Sequence, residues 1–445
     1  MASLRDRLRN ENRRIAIWGL GYLGFSSMAY FARNGIACIG TDPLEERIDD
    51  VNRGRTTIPN LAMWIGFETE PLARAGLMRA TADWKELIGE DVAVHLVAVP
   101  TEHMGEPYDA PLRDVLEKIA DGRRAPGWRP LVIIESTLTP RKVDELVIPL
   151  FEREGLVVGR DVLVGVAPRR DWFISPEKTL QTLPRVIGGT TPETTELMAD
   201  VLGLVSERIL PASDHRHAAM VKSVENAYRH LDIALANQLS LAYPDLDLRE
   251  VLKLAGTKWN MDTYHPSFGT GGYCIPLAPK YVLEGARHPD ELSLLTLALR
   301  TDGEQPRRVA RSLVARGAQR VGVLGLAYKG DLKVHTLTPT VPIVSELARA
   351  GVTAKVHDPH FDEAAIRRYC EAAAGTFAFP DGLREFDTVV IVANHLQYRS
   401  VRQAALREHL TRCRLILDNV GIWREFPLGG IEYHVAGDRR WLGDV

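Results

Sequence analysis

Residues 214–243 read DHRHAAMVKSVENAYRHLDIALANQLSLAY and lie near the middle of the 445-residue chain. Apolar side chains recur in this stretch every three or four residues, and no glycine or proline interrupts them, which predicts one long helix with a face built to be buried. These apolar positions are Val221, Val224, Tyr228, Leu231, Leu235, Leu239 and Ala242. At about 1.5 Å per residue the helix would span about 45 Å, so we expect it to join domains.

The same helix also carries two polar side chains that merit attention. Lys222 and Asn226 are four residues apart, and so they share one side of the helix, away from the apolar stripe. A solvated polar edge and a ligand-binding pair are both compatible with this spacing.

A strand, a glycine-rich turn and a helix open the chain. Residues 14–18 (RIAIW) lead directly into GLGYLG at 19–24, and a second strand, 36–41, is followed by Asp42. The glycines allow a pyrophosphate to approach a helix N-terminus, and an acid about 20 residues further on takes the ribose hydroxyls, so this setting predicts dinucleotide binding. Asp42 would repel a 2′-phosphate, which favours NAD over NADP, although Arg47 lies nearby.

Two further apolar runs, 92–99 and 131–135, are typical of strands buried in a parallel sheet. Hydroxyl side chains follow them, Thr101 after the first and Thr137 after the second. Because ligands of doubly wound sheets bind at the carboxyl ends of strands, both are candidate cofactor contacts; the alternative is that they cap the next helix. The candidate cofactor-binding set is Gly19, Gly21, Tyr22, Leu23, Gly24, Asp42, Arg47, Thr101 and Thr137.

Composition limits the class of protein. The net charge is −3, 45% of residues are hydrophobic and 25% are charged, as in ordinary globular domains. Nucleic-acid-binding proteins usually carry an excess of basic residues, which this chain lacks, so no nucleic-acid partner is expected. The charged N-terminus is followed by no apolar leader, and the apolar runs are too short to span a membrane, which predicts a cytoplasmic protein without a membrane partner.

Four cysteines are scattered without the spacing of a zinc site or a disulfide framework, and no metal is predicted. Cys38 and Cys413 adjoin apolar runs and are expected in the core. Cys274 instead ends the stretch 264–276, YHPSFGTGGYCIP, where three glycines in four positions suit a loop wrapped around a ligand. A catalytic thiol and an incidental cysteine both remain open on this evidence.

The motifs GLGYLG, VAVPT, EST, KSVEN with ALANQ, PSFGTGGYCIP and GLAYK stand in one order along nearly the whole chain. In this the chain resembles the UDP-glucose/GDP-mannose dehydrogenase family, and its cysteine loop is most similar to the bacterial UDP-glucose 6-dehydrogenase branch. Such enzymes oxidise the C6 alcohol of a nucleotide sugar twice with two NAD. A cysteine captures the aldehyde, the resulting thiohemiacetal is oxidised to a thioester, and hydrolysis releases the uronate.

The resemblance implies roles for individual residues. Cys274 would be the nucleophile, Lys222 would stabilise oxyanion charge, and Asn226 would bind the reacting end of the sugar. Thr137 matches a threonine near the reacting group, and Lys280 matches a lysine to which we assign no role. The implied substrate contacts are Lys222, Asn226, Ser267, Phe268, Gly271 and Lys329.

Several positions depart from the family pattern. The acid expected after the cysteine is Ala278, and both glutamates of a Pro-Glu-x-x-x-Glu segment are missing from 168–173, PRRDWF. Asp171 is a shifted carboxylate that would be the remaining candidate for activating water. Since lost general bases cost typically about 10²- to 10⁴-fold in rate, thioester hydrolysis is the step most affected.

The last third again alternates strands and helices, which predicts a second doubly wound domain. Its first turn, GLAYKG at 325–330, lacks the phosphate fingerprint, so no second cofactor site is expected there. The family resemblance implies that this domain binds the nucleotide of the sugar. In that part of the chain Val334, Thr336 and Val420 replace charged residues of the family pattern.

The predicted architecture is α/β, with two Rossmann-like parallel-sheet domains joined by a helical middle. The predicted boundaries are 1–208 for the NAD domain, 209–305 for the helical domain with the cysteine loop, and 306–445 for the nucleotide-sugar domain. The family resemblance and the apolar stripe of the long helix predict a homodimer; burial of the stripe within one chain is the alternative.

The leading functional hypothesis is NAD-dependent oxidation of a UDP-hexose at C6. One alternative is an altered relative that stops at the aldehyde, passes the thioester to another nucleophile or epimerises the sugar. Another is a protein that binds a sugar nucleotide without catalysis.

Overall fold

The computed structural model describes residues 4–11, 13–58, 60–122, 129–171, 173, 175 and 177–443. The chain forms two compact units. The first comprises Met1–Glu225 and Tyr281–Arg287, and the second comprises Asn226–Lys280 and His288–Val445. Both contain a largely parallel sheet flanked by helices, so the predicted α/β class with Rossmann-like domains is confirmed.

The sheet of the first unit has the order β10-β9-β8-β7-β4-β1-β2-β3. Its strands are β1 Arg14–Trp18, β2 Cys38–Thr41, β3 Met78–Ala80, β4 Val92–Val97, β7 Leu131–Ile134, β8 Leu163–Val166, β9 Arg185–Gly189 and β10 Ile209–Pro211; a separate hairpin pairs β5 Glu102–His103 with β6 Glu106–Pro107. Pairing is parallel except between β8 and β9. Every residue of β7 and β8 is buried, which explains their continuous apolar sequences.

Helices of the first unit cover both faces of this sheet, over two separate hydrophobic clusters. They are α1 Leu4–Asn10, α2 Tyr22–Arg33, α3 Glu45–Asn52, α4 Leu61–Ile65, α5 Glu70–Arg74, α6 Ala110–Asp121, α7 Ile148–Arg153 and α8 Pro192–Leu202, with a 3₁₀ turn at Trp84–Ile88 and a π-helical turn at Val143–Val147. Because β1, β2, β4 and β7 are parallel, their carboxyl ends and the glycine-rich turn after β1 lie at one edge of the sheet.

The long helix is present as α9, His215–Ala242, and this prediction is confirmed. Its apolar stripe, however, does not form the buried face within one chain, because Tyr228 is 67% exposed and Leu235 is 55% exposed. The side chains buried along α9 are small or polar, such as Ala227 and Asn237. Small residues allow neighbouring elements to approach the helix backbone closely, which hydrophobic periodicity alone does not reveal.

The second unit contains a parallel sheet of order β12-β11-β13-β14-β15, as predicted for a second doubly wound domain. The strands are β11 Arg320–Leu324, β12 Thr353–His357, β13 Thr388–Ile391, β14 Leu415–Asp418 and β15 Glu432–Val435. The remaining helices of the chain are α10 Leu248–Ala255, α11 Ala278–Glu284, α12 Ser293–Ala315, α13 Thr340–Arg349, α14 Glu363–Tyr369, α15 Leu396–Arg399 and α16 Gln403–His409, with 3₁₀ turns at Pro289–Leu292 and Asp381–Glu385.

The division between the two units falls within α9, after Glu225. The three-domain boundaries drawn from the sequence stay a prediction. Among the described residues, no helix combines the length and the apolar character that a membrane crossing requires.

Candidate active site

The glycine-rich turn after β1 has the geometry that its sequence predicts. Gly19 has φ +90°, and a Cβ there would lie 2.7 Å from the Ala98 carbonyl oxygen, so only glycine fits. A Cβ on Gly24 would lie 1.7 Å from the Gly19 oxygen. A Cβ on Gly21, which caps the N-terminus of α2, would meet nothing within 4 Å. The turn is thus tightly packed at Gly19 and Gly24 and open at Gly21, at the N-terminus of α2, as a bound pyrophosphate requires.

Asp42 lies immediately after β2, and backbone amides fix its carboxylate. Its Oδ2 accepts a hydrogen bond from Leu20 N at 2.8 Å, and its Oδ1 accepts one from Leu44 N at 3.0 Å. Within the described residues, Nη1 of Arg47 on α3 is buried without a hydrogen-bond partner. A carboxylate fixed at the end of β2 fits the ribose hydroxyls of NAD, whose nicotinamide ring would accept the hydride.

Tyr22 and Leu23 contribute to the packing around the turn. The Tyr22 ring lies 4.9 Å from the ring of Phe173, which in turn lies 4.6 Å from Trp64. The carbonyl oxygen of Leu23 accepts a hydrogen bond from Nη1 of Arg169 at 3.1 Å. Position 173, where the family pattern has an acid, is therefore part of an aromatic cluster and supplies no base.

A buried ionic cluster lies beneath α2. The Arg169 guanidinium donates to Ser27 Oγ at 2.7 Å and pairs with Asp171 and Glu135, and Glu135 also pairs with Arg185. Burial works to lower the pKa of Arg169, but the charges of Asp171 and Glu135 outweigh it, so its pKa is raised. The Asp171 side chain is only 2% exposed. The suggestion that Asp171 activates water is therefore wrong, because its carboxylate is committed to Arg169.

Thr101 and Thr137 meet at the carboxyl ends of β4 and β7. The Thr101 hydroxyl donates to the Thr137 carbonyl oxygen at 2.7 Å, and the Tyr281 hydroxyl donates to the Thr101 carbonyl oxygen at 2.5 Å. Both threonines line a depression that also contains Asp109 and Lys142. Neither threonine caps the next helix, because the N-cap positions of α6 and of the π-helical turn are occupied by Asp109 and Lys142.

Ion pairs of the first unit hold the part of α9 that carries Lys222. Nε of Arg170 donates to Glu225, one turn further along α9, at 3.1 Å. At the start of α9, Nε of Arg216 donates to Asp144 at 2.7 Å. Partial burial works to raise the pKa of Asp144, but its hydrogen bonds and charge interactions with Arg216 and His215 lower it overall. The Lys222 side chain is half-buried on this fixed segment.

The cysteine loop lies in the second unit, and side chains distant in sequence hold its backbone. Ser267 N donates to Asn237 Oδ1 at 2.8 Å, and Phe268 N donates to Asn419 Oδ1 at 2.8 Å. The next anchor is Asp302 on α12, whose Oδ1 accepts from Thr270 N at 2.8 Å. These three anchors come from α9, from the turn after β14 and from α12.

Sequence reasoning missed all three anchors of the loop. Asn237 lies in the ALANQ motif and Asn419 follows a strand, so both were visible as polar residues at marked positions. The Phe268 side chain is fully buried, and its ring stacks on that of Trp441 with 5.8 Å between the ring centroids. The predicted substrate contact at Phe268 stays a prediction.

The glycines before Cys274 are required by Tyr328, which follows β11. A Cβ on Gly271 would lie 2.4 Å from Tyr328 Cβ, and one on Gly272 would lie 2.7 Å from the Tyr328 ring. Gly272 also has φ +87° and donates its N–H to the Thr336 carbonyl oxygen at 2.8 Å. The segment after β11 therefore fixes the backbone of the loop that leads to Cys274.

The four thiols fall into two groups. Cys38, Cys370 and Cys413 are buried, whereas Cys274 is exposed. Burial raises the pKa of Cys370 to about 11 and that of Cys413 to about 12, and it raises the pKa of Cys38 further. The core placement of Cys38 and Cys413 is confirmed, and Cys274 is the thiol that a solute reaches.

The segment that carries Lys329 is anchored by a buried histidine. His395 accepts a hydrogen bond from Asp331 N at its Nδ1 (2.9 Å), and its Nε2 lies 3.1 Å from Asp358 Oδ2. Asp331, His360 and His395 place potential metal-ligating atoms within 4.8 Å of one another. Because Asp331 Oδ2 also accepts from Arg399 at 2.6 Å, these groups already serve to fix the segment.

Two substituted family positions, Ala278 and Val420, offer no charged side chain. Ala278 is buried at the start of α11 and offers only a methyl group. Val420 is 42% exposed in the turn after β14, where Arg249 from α10 donates to its carbonyl oxygen at 3.3 Å. Activation of water and binding of the nucleotide therefore depend on residues at other positions.

Three sequence profiles of one family match the chain. The NAD binding domain of the UDP-glucose/GDP-mannose dehydrogenase family matches residues 13–203, its central domain matches 216–302, and its UDP binding domain matches 322–425.

Individual proteins agree with these matches. Protein CapL of Staphylococcus aureus is 29% identical, over 80% of this chain and 85% of CapL. UDP-N-acetyl-D-glucosamine 6-dehydrogenase of Pseudomonas aeruginosa is 27% identical, over 89% of this chain and 94% of its own length. The solved UDP-D-ManNAc dehydrogenase of Pyrococcus horikoshii superposes with a TM-score of 0.80 at 27% identity, covering 97% of this chain and all of that one.

Together these profiles match three segments between residues 13 and 425. The same chain contains the glycine turn with its fixed acid, the exposed thiol on an anchored loop and the second parallel sheet. The predicted NAD cofactor and the predicted enzyme class are confirmed by these matches. The chain belongs to the UDP-glucose/GDP-mannose dehydrogenase family, and it is an NAD-dependent nucleotide-sugar dehydrogenase.

Proposed function

We propose that this enzyme oxidises the C6 hydroxyl of a UDP-N-acetylhexosamine to the carboxylate, with Cys274 as the covalent nucleophile. The observation that carries the proposal is the exposed thiol of Cys274 at the end of a loop held by three anchoring side chains. The sugar class follows the N-acetylmannosamine and N-acetylglucosamine dehydrogenases among the relatives. This choice refines the UDP-hexose expected from the sequence.

The proposed chemistry assigns one task to each polar group. Loss of one hydride and the hydroxyl proton from C6 would give the aldehyde. The Cys274 thiol adds to the aldehyde carbon to give a thiohemiacetal, and the carbonyl oxygen takes the thiol proton; loss of a second hydride and of that proton then leaves a thioester, and each hydride goes to one NAD. Lys222 stabilises negative charge on that oxygen, and Asn226 binds the reacting end of the sugar. Water attacks the thioester, and the carboxylate and the free thiol leave. Thr137, Ser267, Gly271 and Lys329 complete the proposed contacts.

The hydrolysis step is where this enzyme should differ from its relatives. Position 173 is an aromatic ring, position 278 is a methyl group, and Asp171 is committed to a buried ion pair. Without these bases, deacylation should be slower by about 10²- to 10⁴-fold than with a positioned general base. This observation also favours a second candidate, in which an amine or another nucleophile takes the acyl group from Cys274.

Counting NADH against sugar tests the proposal. UDP-N-acetylglucosamine, UDP-N-acetylmannosamine, UDP-glucose and GDP-mannose are each incubated with the enzyme and excess NAD, and products are identified by mass spectrometry. We expect two NADH per sugar with an N-acetylhexosamine donor, and an acyl adduct on Cys274 in intact mass when enzyme is in excess. Transfer to an added amine with two NADH would support the second candidate.

The matched controls are Cys274→Ser and Cys413→Ser. The first should lose acid formation and the adduct but retain NAD binding, and the second should retain all three because Cys413 is buried. An unchanged product profile in Cys274→Ser would remove this residue from the mechanism. One NADH per sugar with an aldehyde product would contradict full oxidation, as would a changed sugar without net NADH.

We also propose that the enzyme is a homodimer through the exposed side of α9. Tyr228 and Leu235 are exposed there, and Leu254 and Trp259 on and after α10 are 61% and 91% exposed. Exposed apolar side chains of this size are typical of a protein interface where they form one patch. Sedimentation of the wild type and of Leu235→Glu tests this: a monomeric wild type would contradict it.

A further inference from the structure

His230 is a buried histidine on α9 that lies between the KSVEN and ALANQ motifs and belongs to neither. Its side chain is fully buried, and among the described residues neither of its ring nitrogens has a hydrogen-bond partner. A carboxylate faces the ring, because Nε2 of His230 lies 3.5 Å from Oδ2 of Asp302 on α12. Since a buried polar group without a partner costs free energy, this contact is the one that explains a histidine at this position.

The same carboxylate holds the cysteine loop. Asp302 Oδ1 accepts a hydrogen bond from Thr270 N at 2.8 Å, and its Oδ2 accepts one from the Thr270 hydroxyl at 2.5 Å. Asp302 is buried, and no lysine or arginine in the described part of the chain lies within 4.0 Å of its carboxylate. Two of the groups that face this carboxylate therefore belong to the loop itself, and the third, His230, belongs to the long helix.

One face of α9 reaches the loop at two points. Asn237 lies seven residues after His230, which is the spacing of side chains on one helix face. Its Oδ1 accepts from Ser267 N at 2.8 Å, so it holds the loop directly. His230 reaches Thr270 through the carboxylate of Asp302. The loop is thus attached to α9 once directly and once through a residue of α12.

We propose that His230 is a positioning residue for Cys274: it orients the Asp302 carboxylate, which holds Thr270 and thereby the loop that ends in the thiol. A neutral imidazole with its proton on Nε2 and an imidazolium both present an N–H to Oδ2 of Asp302. The low dielectric of an interior strengthens such a contact. The inference rests on the proposed function, in which Cys274 is the nucleophile.

Hydrogen exchange of the full-length enzyme tests the attachment without any substrate, with mass spectrometry of the peptide 266–274 as the readout. His230→Leu removes the N–H and keeps a side chain of similar bulk in a buried site. We expect the Thr270 amide to exchange about tenfold faster or more, because the carboxylate that accepts from it loses a support. His230→Gln can direct its own N–H toward Asp302 and should restore slow exchange. Unchanged exchange in His230→Leu would overturn the proposal.

Following the two hydrides separately tests whether this attachment serves the thiol. In the proposed chemistry the first hydride leaves before the thiol reacts, whereas the second leaves from the thiohemiacetal on Cys274. At saturating NAD and sugar nucleotide, we expect His230→Leu to slow the second hydride by about 10- to 100-fold and the first by no more than about twofold. Rapid mixing with detection of NADH measures both. Damage to the whole fold would slow both hydrides alike, so equal slowing would contradict a positioning role.

A double-mutant cycle tests the route through Asp302. Asp302→Ala removes the acceptor of both Thr270 donors and should slow the second hydride more than His230→Leu does. If His230 acts only through that carboxylate, His230→Leu should cause no further slowing in the Asp302→Ala background. Additive losses would mean that His230 acts by another route, and the proposal would fail.

The matched control is His409→Leu. His409 is also a buried histidine of the second unit, and its Nε2 lies 3.4 Å from Oδ1 of Asp381. The described residues show no hydrogen bond or ion pair between His409 and the cysteine loop. The variant should therefore leave loop exchange and the second hydride unchanged. Changes as large as those in His230→Leu would show that loss of any buried histidine of this unit has the same effect, which would overturn the proposal.

Cys274→Ser separates this inference from the proposed function. If that variant releases the second hydride at the wild-type rate, the nucleophile assigned in the proposed function is wrong. Exchange of the Thr270 amide in His230→Leu then still decides whether His230 holds the loop, because that measurement requires neither the thiol nor a substrate.

Discussion

The two units begin their sheets with the same kind of turn, at 19–24 in the first and at 325–330 in the second. Gly19 has φ +90° and Gly325 has φ +109°, and the N–H of each donates to the end of the neighbouring strand, at 2.9 Å to Thr41 and at 2.8 Å to His357. An aspartate follows that strand in both units, Asp42 in one and Asp358 in the other.

The two aspartates accept backbone hydrogen bonds in the same way but face different surroundings. Asp42 Oδ2 accepts from Leu20 N at 2.8 Å, and Asp358 Oδ2 accepts from Leu326 N at 2.8 Å. Asp358 is buried and also contacts His395, whereas Asp42 is half-exposed. The same pattern of backbone hydrogen bonds therefore holds a carboxylate that suits a cofactor in the first unit and one that fixes an internal segment in the second.

The segment after the turn explains the difference. In the first unit α2 begins at Tyr22, directly after the glycines, so its N-terminus faces the cofactor edge. In the second unit α13 does not begin until Thr340, and the intervening residues hold the cysteine loop through Tyr328 and Thr336. After an equivalent turn, the first unit thus has a helix N-terminus, and the second unit has a longer connection that supports the cysteine loop.

The sharpest test of this comparison adds one methyl group to each turn. Gly24→Ala would place its Cβ 1.7 Å from the Gly19 oxygen, and we expect NAD to bind at least about 100-fold more weakly because the phosphate-binding turn must move. Gly325→Ala would strain a residue at φ +109° against Ala393 and should lower the free energy of unfolding by about 1–3 kcal/mol.

The readouts are NAD affinity by calorimetry and unfolding by urea. Each variant is the other's control, because NAD affinity should stay unchanged in Gly325→Ala. Equal loss of NAD binding in both variants would show that the two turns do not have separate tasks.

A smaller effect is expected from the two aspartates. Asp42 should favour NAD over NADP by about tenfold or more, since its carboxylate accepts from ribose hydroxyls and repels a phosphate, and Asp42→Ala should reduce that ratio. Asp358→Asn should leave the ratio unchanged and should lower stability. Equal affinities for the two cofactors in the wild type would contradict the role given to Asp42.

The features that the sequence predicted well are local ones. The turn at 19–24, the strands at 14–18 and 131–134 and the helix at 215–242 each follow from periodicity and glycine placement within one short stretch. Resemblance supplied the family, and the comparison with known proteins confirmed it.

What the sequence did not predict depends on contacts between distant residues. Asn419 lies 151 residues from the amide that it fixes, and no spacing rule connects the two. Asp171 looked available to a water molecule until its pairing with Arg169 placed it in the interior. Periodicity located the apolar positions of α9, but it did not reveal that Tyr228 and Leu235 are exposed within one chain.

The smallest effect concerns acid stability and compares a buried histidine in each unit. Burial lowers the pKa of His95 to about 3 and that of His357 to about 4. An unfolded histidine has a pKa of about 6.5, so between these values the unfolded state binds more protons and stability rises with pH. Stability is therefore complete above about pH 6.5 and is lost as the pH falls toward the folded values.

For the fully buried His95, the loss between pH 7 and pH 6 should be about 0.7 kcal/mol in the free energy of unfolding. Urea unfolding at both pH values measures it. His95 Nδ1 accepts from Trp18 Nε1 at 3.1 Å, so His95→Gln can keep an acceptor there while removing the titration. This variant should show a flatter pH dependence than the wild type by that amount. An unchanged slope would mean that His95 is protonated at the same pH in both states, and that burial in the first sheet does not control its charge.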